Sequence, residues 1–175
     1  ESSNCLAIAG GSFAYGLWLN AENTLSSLMG KKFEGRVRSI NLGFIGYGPH
    51  HMLAALENGF WDDILKSCKK VVFIYYSIQH HINRASGLVY WDTRGPWYEL
   101  EDDQIERKGN FNDKYFINDQ LDFMLRKFKV YLRSRYILVN IFNKPDPFLY
   151  LRILRETKKE LKRKFSNINF YALSW

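Results

Sequence analysis

Short apolar runs alternate along the chain with segments in which apolar residues recur at helical spacing. The apolar runs predict four buried strands, over Leu6–Ala9, Val37–Leu42, Lys70–Tyr76 and Ile168–Leu173. Strands that alternate with helices in this way form a parallel sheet that is covered by helices on both faces. The pattern therefore predicts an α/β fold with three layers, α/β/α, around a mainly parallel sheet of four to five strands.

Helix signals fill the intervals between these strands. Asn23 is predicted to cap a helix that runs through Leu28 and ends near Gly30, and Pro49 suits the first turn of the next helix. Two long helices are predicted in the second half of the chain. Their apolar positions are Ile117, Leu121, Met124, Leu125, Phe128 and Leu132 in the first, and Leu151, Leu154, Leu161 and Phe165 in the second. Tyr136–Phe142 is predicted as a short strand or as an extended lead into Pro145.

Residues 84–112 interrupt the alternation with an aromatic-rich insertion. Gly95 and Pro96 favour a turn, so the segment is predicted to be irregular or a hairpin that lies over one edge of the sheet. Trp91, Trp97 and Tyr98 would then line a wall for a sugar or acyl group, or merely cover the sheet. We favour the second interpretation, in which these residues cover the sheet.

Length and composition fit one globular domain of 175 residues, since 46% of the residues are hydrophobic and 25% are charged. No apolar run is long enough to cross a bilayer, and no leader precedes the first strand. Because the sequence starts close to that strand, an exported, periplasmic or membrane-anchored parent protein is favoured over a cytoplasmic one. Cys5 and Cys68 are predicted to be buried free thiols rather than a disulfide.

The net charge of +7 is concentrated late in the chain. Between Lys144 and Lys164 there are eight Lys/Arg and three Asp/Glu. A solvated helix face is the favoured interpretation, and a surface for an anionic polymer or lipid headgroups is the alternative. The aromatic residues fall at apolar periodic positions rather than among these charges, so no nucleic-acid partner is expected.

Three chemically unusual loops follow predicted strands. In a parallel sheet the carboxyl ends of neighbouring strands share one edge, so Gly11–Ser12, residues 43–46 and residues 77–81 are expected to meet there. Ser12 is the candidate nucleophile, and the backbone N–H groups of Ser12 and Gly46 are candidate donors to an oxyanion.

Two motifs at this edge, Gly-Gly-Ser-Phe at residues 10–13 and Gly-Tyr-Gly-Pro-His at residues 46–50, resemble blocks one and two of the SGNH (GDSL-like) hydrolases. The resemblance implies a flavodoxin-like three-layer fold. It also implies a serine esterase or acyltransferase that acts on an O-acyl ester of a carbohydrate or lipid through an acyl-serine intermediate, without a cofactor. The chain departs from the family at Gly11, where block one usually has Asp.

Block three of the family, Gly-x-Asn-Asp, contains an Asn that donates to the oxyanion, and here Gln79 stands in its place. His80 and His81 are alternatives to Gln79 as the donor, and they are otherwise expected to contact substrate or to orient the loop. Arg84 is expected to orient the loop or to meet an anionic substrate group. No metal site is expected, because no Cys or carboxylate lies at ligand spacing from the four histidines.

The family's activating pair, a late Asp-x-x-His, has no counterpart in this sequence, and no histidine follows His81. We expect residues 1–175 to be one SGNH-like domain that is incomplete at its C-terminus, so that catalysis depends on a His and an Asp supplied from outside. The alternatives are recruitment of an upstream histidine, or an inactive relative that binds a glycan, lipid or protein. A nucleotide-binding domain is disfavoured, because the glycine loop at residues 10–16 lacks a P-loop lysine.

Overall fold

A computed structural model describes residues 3–115, 119–125 and 127–174. The strands are β1 (Asn4–Gly10), β2 (Val37–Gly43), β3 (Lys70–Ser77), β4 (Pro96–Glu101), β5 (Gln104–Asn110) and β6 (Ile168–Ser174). The helices are α1 (Ser12–Tyr15), α2 (Leu25–Lys32), α3 (Pro49–Glu57), α4 (Asp62–Lys66), α5 (His80–Ala85), α6 (Phe111–Lys114), α7 (Asp119–Leu125), α8 (Lys129–Phe142) and α9 (Pro147–Lys164).

The main sheet has the strand order β2-β1-β3-β6, and every pairing in it is parallel. This confirms the predicted α/β class and the four predicted strands. The chain passes from β1 outward to β2 and then returns to β3 on the other side of β1. The strand order therefore reverses between β1 and β3, and ligands bind at such a reversal in open α/β sheets.

Alternate residues of the strands face two different helix layers. Ala7, Phe73 and their neighbours pack against α3, α4 and α9 in the larger core. Leu6 and Ile8 pack against Ala14 of α1, and residues of α2 complete this smaller core. The two faces together give the predicted three layers.

The aromatic-rich insertion contains the predicted hairpin, β4–β5, but the predicted position over a sheet edge is wrong. Tyr98 is buried in the larger core, and the hairpin contacts α3 and α9. The Tyr98 hydroxyl donates to Glu57, the last residue of α3, at 2.6 Å. The hairpin therefore extends the helix layer, because its apolar face finds its partners there.

The first predicted helix begins one residue later and extends further than its sequence signals indicated. Thr24 caps α2, since its side chain accepts a hydrogen bond from the backbone N–H of Ser27. Gly30 lies inside α2 and does not end it.

The helix predicted over residues 117–132 is interrupted, and the strand predicted over Tyr136–Phe142 is helical. The structure has α7, a break at residues 127–128, and then α8. A buried ion pair between Arg135 and Asp122 holds the two helices together. Ile117 and Trp175 lie outside the described residues.

Cys5 and Cys68 form a disulfide, so the prediction of two free thiols is wrong. Cys5 lies on β1, and Cys68 comes just before β3, the strand that pairs with β1. Strand pairing is what brings the two sulfur atoms together. Among the described residues, no helix is both long and apolar enough to cross a membrane.

Candidate active site

Ser12 lies at the carboxyl edge of the sheet, as predicted. It is the first residue of α1 and follows the β1 strand after a single residue, Gly11. The β2–α3 loop reaches this position too, since the N–H of Phe44 donates to the carbonyl of Gly10 at 3.0 Å. Within the described part of the chain, the Ser12 hydroxyl makes no hydrogen bond and its side chain is half-buried. The hydroxyl is therefore available to a ligand.

The residue beside Ser12 has no room for a side chain. A Cβ on Gly11 would lie 2.7 Å from Nη1 of Arg84, 2.8 Å from Nε2 of His81 and 3.1 Å from the carbonyl oxygen of Tyr47. Two side chains of α5 and the backbone of the β2–α3 loop thus converge on the turn that presents Ser12. This close approach leaves room only for glycine at position 11.

His81 is neutral and turns one ring nitrogen towards this turn. Burial is the main reason that its pKa falls to about 3, and the nearby Arg84 charge lowers it further. Nδ1 of His81 lies 2.7 Å from the hydroxyl of Tyr75, whose pKa burial raises well above 10. That hydroxyl has no other partner in the described residues, so we assign it as the donor. Nε2 of His81 then carries the proton and faces Gly11.

Gly46 has a φ of +83°, a conformation that favours glycine. A Cβ there would lie 3.5 Å from Nε1 of Trp91. The Arg84 guanidinium is 6.0 Å from the Trp91 ring, and its Nη1 donates to the carbonyl of Tyr47 at 2.7 Å. Arg84 therefore ties the Gly46 loop to α5.

Gln79 and His80 lie at the start of α5, and both are exposed. They line a groove of about 460 Å³ together with Phe13, the neighbour of Ser12. The His80 ring lies 6.4 Å from that of Trp91. The Gln79 side chain makes no hydrogen bond to the described residues, so the structure places it near the site without orienting its amide.

A second groove, of about 490 Å³, runs from His80 and Trp91 to α8. Its lining is largely apolar and includes Val89, Leu132 and Tyr136. Of the three candidate wall residues, Trp91, Trp97 and Tyr98, only Trp91 lines one of these grooves in the described structure. Tyr98 is buried in the core instead.

Asp92 is the site residue that the sequence did not reveal. Its two carboxylate oxygens lie 2.8 Å from Nε2 of His50 and 3.1 Å from Nε2 of His51. This carboxylate fixes the loop that carries Trp91 to the start of α3. Its only signal in the sequence was that an acidic residue occurs at this point of the aromatic-rich insertion. His50 is fully buried and His51 is mostly buried.

The same three residues are the candidate metal ligands of the described chain, because their ligand atoms lie within 4.8 Å of one another. The sequence argument against a metal rested on the lack of a carboxylate partner, and Asp92 overturns that reason. The observed contacts are hydrogen bonds, however, and the nearby positive charge of Arg84 opposes a cation. In this structure the cluster holds the loop that carries Trp91 to the start of α3.

Acid is expected to destabilise the fold through His50 and His81. Burial lowers the pKa of His50 to about 4, whereas an unfolded histidine titrates near 6.5. The unfolded chain therefore binds more protons below pH 6.5, and stability falls as pH falls. For the two histidines together, we expect roughly 3 kcal/mol less unfolding free energy at pH 5 than at pH 7, measured by urea denaturation.

His81→Gln provides the control for this pH dependence, since glutamine cannot titrate. In this variant, the unfolding free energy should change with pH by about half as much as in the unmodified protein. An unfolding free energy that is equal at both pH values would contradict buried neutral histidines.

Comparison with known structures finds matches that include the following two proteins. The crystal structure of AlinE4, an SGNH-hydrolase family esterase, matches with a TM-score of 0.33 and 16% identity, over 42% of this chain and 40% of that one. A member of the lipolytic protein G-D-S-L family from Veillonella parvula DSM 2008 matches with a TM-score of 0.38 and 13% identity, over 94% of this chain and 99% of that one. The chain thus spans less than half the length of AlinE4. No family model and no curated protein sequence matches it, so the functional conclusion rests on the residues at the sheet edge.

Proposed function

We propose that this chain is an SGNH-like serine esterase or acyltransferase whose substrate is an O-acyl ester of a carbohydrate or lipid. The observation that carries the proposal is the position of Ser12. It lies at the strand-order reversal, in a turn on which His81, Arg84 and the Gly46 loop converge. Ser12 would attack the ester carbonyl and form an acyl-serine, and the alcohol would leave. Water or an acceptor hydroxyl would then release the acyl group.

The backbone N–H groups of Ser12 and Gly46 are the proposed oxyanion donors. Gln79 was the first sequence candidate for a third donor, with His80 and His81 as alternatives, and His81 is the stronger one. Its Nε2–H faces the Ser12 turn, whereas no described contact orients the Gln79 amide. A pKa near 3 also makes His81 a poor general base at neutral pH, since an efficient base has a pKa near the working pH.

The donor role of His81 can be separated from a base role by two substitutions. His81→Ala should lower kcat/KM for p-nitrophenyl butyrate by about 10²–10³-fold, the usual cost of one lost oxyanion donor. His81→Gln keeps an N–H at a similar reach and should retain most of the activity. Gln79→Ala should change kcat/KM little. A glutamine variant as inactive as the alanine variant would contradict the donor role.

The activation of Ser12 is the remaining requirement. His50 and His51 are bound to Asp92, and His81 is bound to Tyr75. We propose that a His and an Asp from outside residues 1–175 supply the base, as the family's block would. His80, which is exposed at the groove beside Phe13, is the alternative within the chain.

The test compares the natural full-length protein with residues 1–175 alone, using p-nitrophenyl butyrate. Activity of the full-length protein only would place the base outside this segment. Activity of residues 1–175 that His80→Ala abolishes would place the base at His80. If neither form turns over esters, the esterase proposal fails.

The second candidate function is an inactive SGNH-like domain that binds a glycan, lipid or protein at the same edge. One observation favours it: three of the four histidines already have structural partners. The groove beside Phe13 and the second groove would then serve as the binding site. Ligand-dependent thermal stabilisation that Ser12→Ala leaves unchanged, together with no ester turnover, would favour this function.

A further inference from the structure

Helices α7 and α8 present a large apolar surface to solvent. The side chains of Met124, Phe128, Val130, Ile137 and Ile141 are between 47% and 81% exposed. On α8, Val130, Ile137 and Ile141 are separated by seven and four residues, so they share one face of the helix. An exposed apolar helix face of this kind marks an interaction site more often than a free surface.

The same segment is strongly basic. Between residues 123 and 145 there are six Lys/Arg and no Asp/Glu. Arg135 is buried and paired with Asp122, whereas Lys127, Lys129 and Arg133 are exposed. Within the described part of the chain, none of these three has an acidic partner. They therefore offer three uncompensated positive charges beside the apolar side chains.

The opposite side of α8 is fixed to the rest of the molecule. Val139 is buried, and the Asn140 amide donates to the carbonyl of Leu88 at 3.4 Å. The Arg135 guanidinium also donates to the Asn112 side chain at 2.7 Å. These contacts hold the inner side of α8 and leave its apolar and basic face outward.

We propose that this α7–α8 face, made of Met124, Lys127, Phe128, Lys129, Val130, Arg133, Ile137 and Ile141, docks on an anionic lipid bilayer. A short helix with apolar side chains beside Lys and Arg is typical of helices that lie in the headgroup region. Charge favours a bilayer over a protein partner, because lysine is depleted from protein–protein interfaces. The proposal does not depend on the chemistry of Ser12.

Docking would also bring the second groove to the lipid. Lys129 and Arg133 belong to the α7–α8 face and line this groove, whose other end is formed by His80 and Trp91. An acyl chain from the bilayer would therefore meet the groove that leads towards the Ser12 edge of the sheet.

Vesicle co-sedimentation tests the docking. The protein should pellet with phosphatidylcholine vesicles that contain about 30% phosphatidylglycerol, a strongly anionic surface, and not with phosphatidylcholine alone. Binding should weaken when NaCl is raised from about 50 mM to about 500 mM. The triple variant Lys127→Glu/Lys129→Glu/Arg133→Glu should bind at least about 100-fold more weakly, at about fivefold for each lost charge.

A matched control lies on α9. Arg155→Glu/Lys158→Glu/Lys162→Glu changes the net charge equally at three exposed positions of another helix and should leave binding within a few-fold of the unmodified chain. A second variant, Val130→Ser/Ile137→Ser/Ile141→Ser, keeps the charge and should still lose binding. Circular dichroism confirms folding of each variant.

Three results would overturn the proposal. The first is an unmodified protein that stays in the supernatant with anionic vesicles. This result overturns the proposal whether light scattering shows a monomer or a dimer, in which a second copy would bury the face. The second is full binding by the α8 charge variant. The third is an equal loss of binding in the α9 control, which would assign the effect to net charge alone.

Discussion

Ser12→Ala is expected to lower kcat/KM for p-nitrophenyl butyrate by at least about 10³-fold in the full-length protein, because no other group would carry the acyl intermediate. The melting temperature should not change, since the Ser12 hydroxyl makes no hydrogen bond in the described structure and its side chain is only half-buried. A loss of activity without a loss of stability is the signature of a reacting group.

Ser166→Ala is the matched control for this variant. Ser166 is exposed and lies between α9 and β6, away from the carboxyl ends of the strands. Its replacement should change neither turnover nor stability. Ester turnover that survives in Ser12→Ala would exclude Ser12 as the nucleophile and assign the activity to another group.

Reduction of the Cys5–Cys68 disulfide is expected to cost about 4 kcal/mol of unfolding free energy. The sequence separation is 63 residues, and in the chain-entropy model a closed loop of this length restricts the unfolded chain by about that amount. For a chain of this size the loss corresponds to a fall in melting temperature of about 10 °C. Urea denaturation with and without dithiothreitol measures it.

The double variant Cys5→Ala/Cys68→Ala is the control for the reductant. It should show the stability of the reduced protein, and dithiothreitol should leave it unchanged. Alkylation of the unfolded protein without reductant tests whether the disulfide exists. Two thiols that react under these conditions would show that the bond is absent. Stability that is equal in the oxidised and reduced protein would show that loop closure contributes nothing.

The four strands of the main sheet could be predicted because each is a short apolar run, and a buried parallel strand needs little more than that. The carboxyl-edge site followed from the same runs, since parallel pairing brings the ends of β1, β2 and β3 together. Local sequence was sufficient to predict an element wherever the residues of that element determine its conformation.

Tyr136–Phe142 shows where local sequence fails. Its aromatic and β-branched residues favour a strand, yet the segment forms the second half of α8. Two residues that a helix places on one face, Arg135 and Val139, are buried, and Arg135 pairs with Asp122 on another helix. The tertiary contact outweighs the local propensity.

The disulfide and Asp92 were missed for a related reason. Cys68 meets Cys5 only because β1 pairs with β3 in a particular register. That register cannot be predicted from composition. Asp92 meets His50 across 42 residues of chain. Both contacts are decided by how distant segments pack, which neither motif nor periodicity reports.

The most direct test of the central claim is to identify the residue that a serine-directed fluorophosphonate modifies in the full-length protein. The account predicts a single phosphonyl group on Ser12 by peptide mass spectrometry, no modification of Ser12→Ala, and protection by an ester substrate. Modification of another residue, or ester turnover by a protein that takes up no phosphonyl group at Ser12, would contradict it.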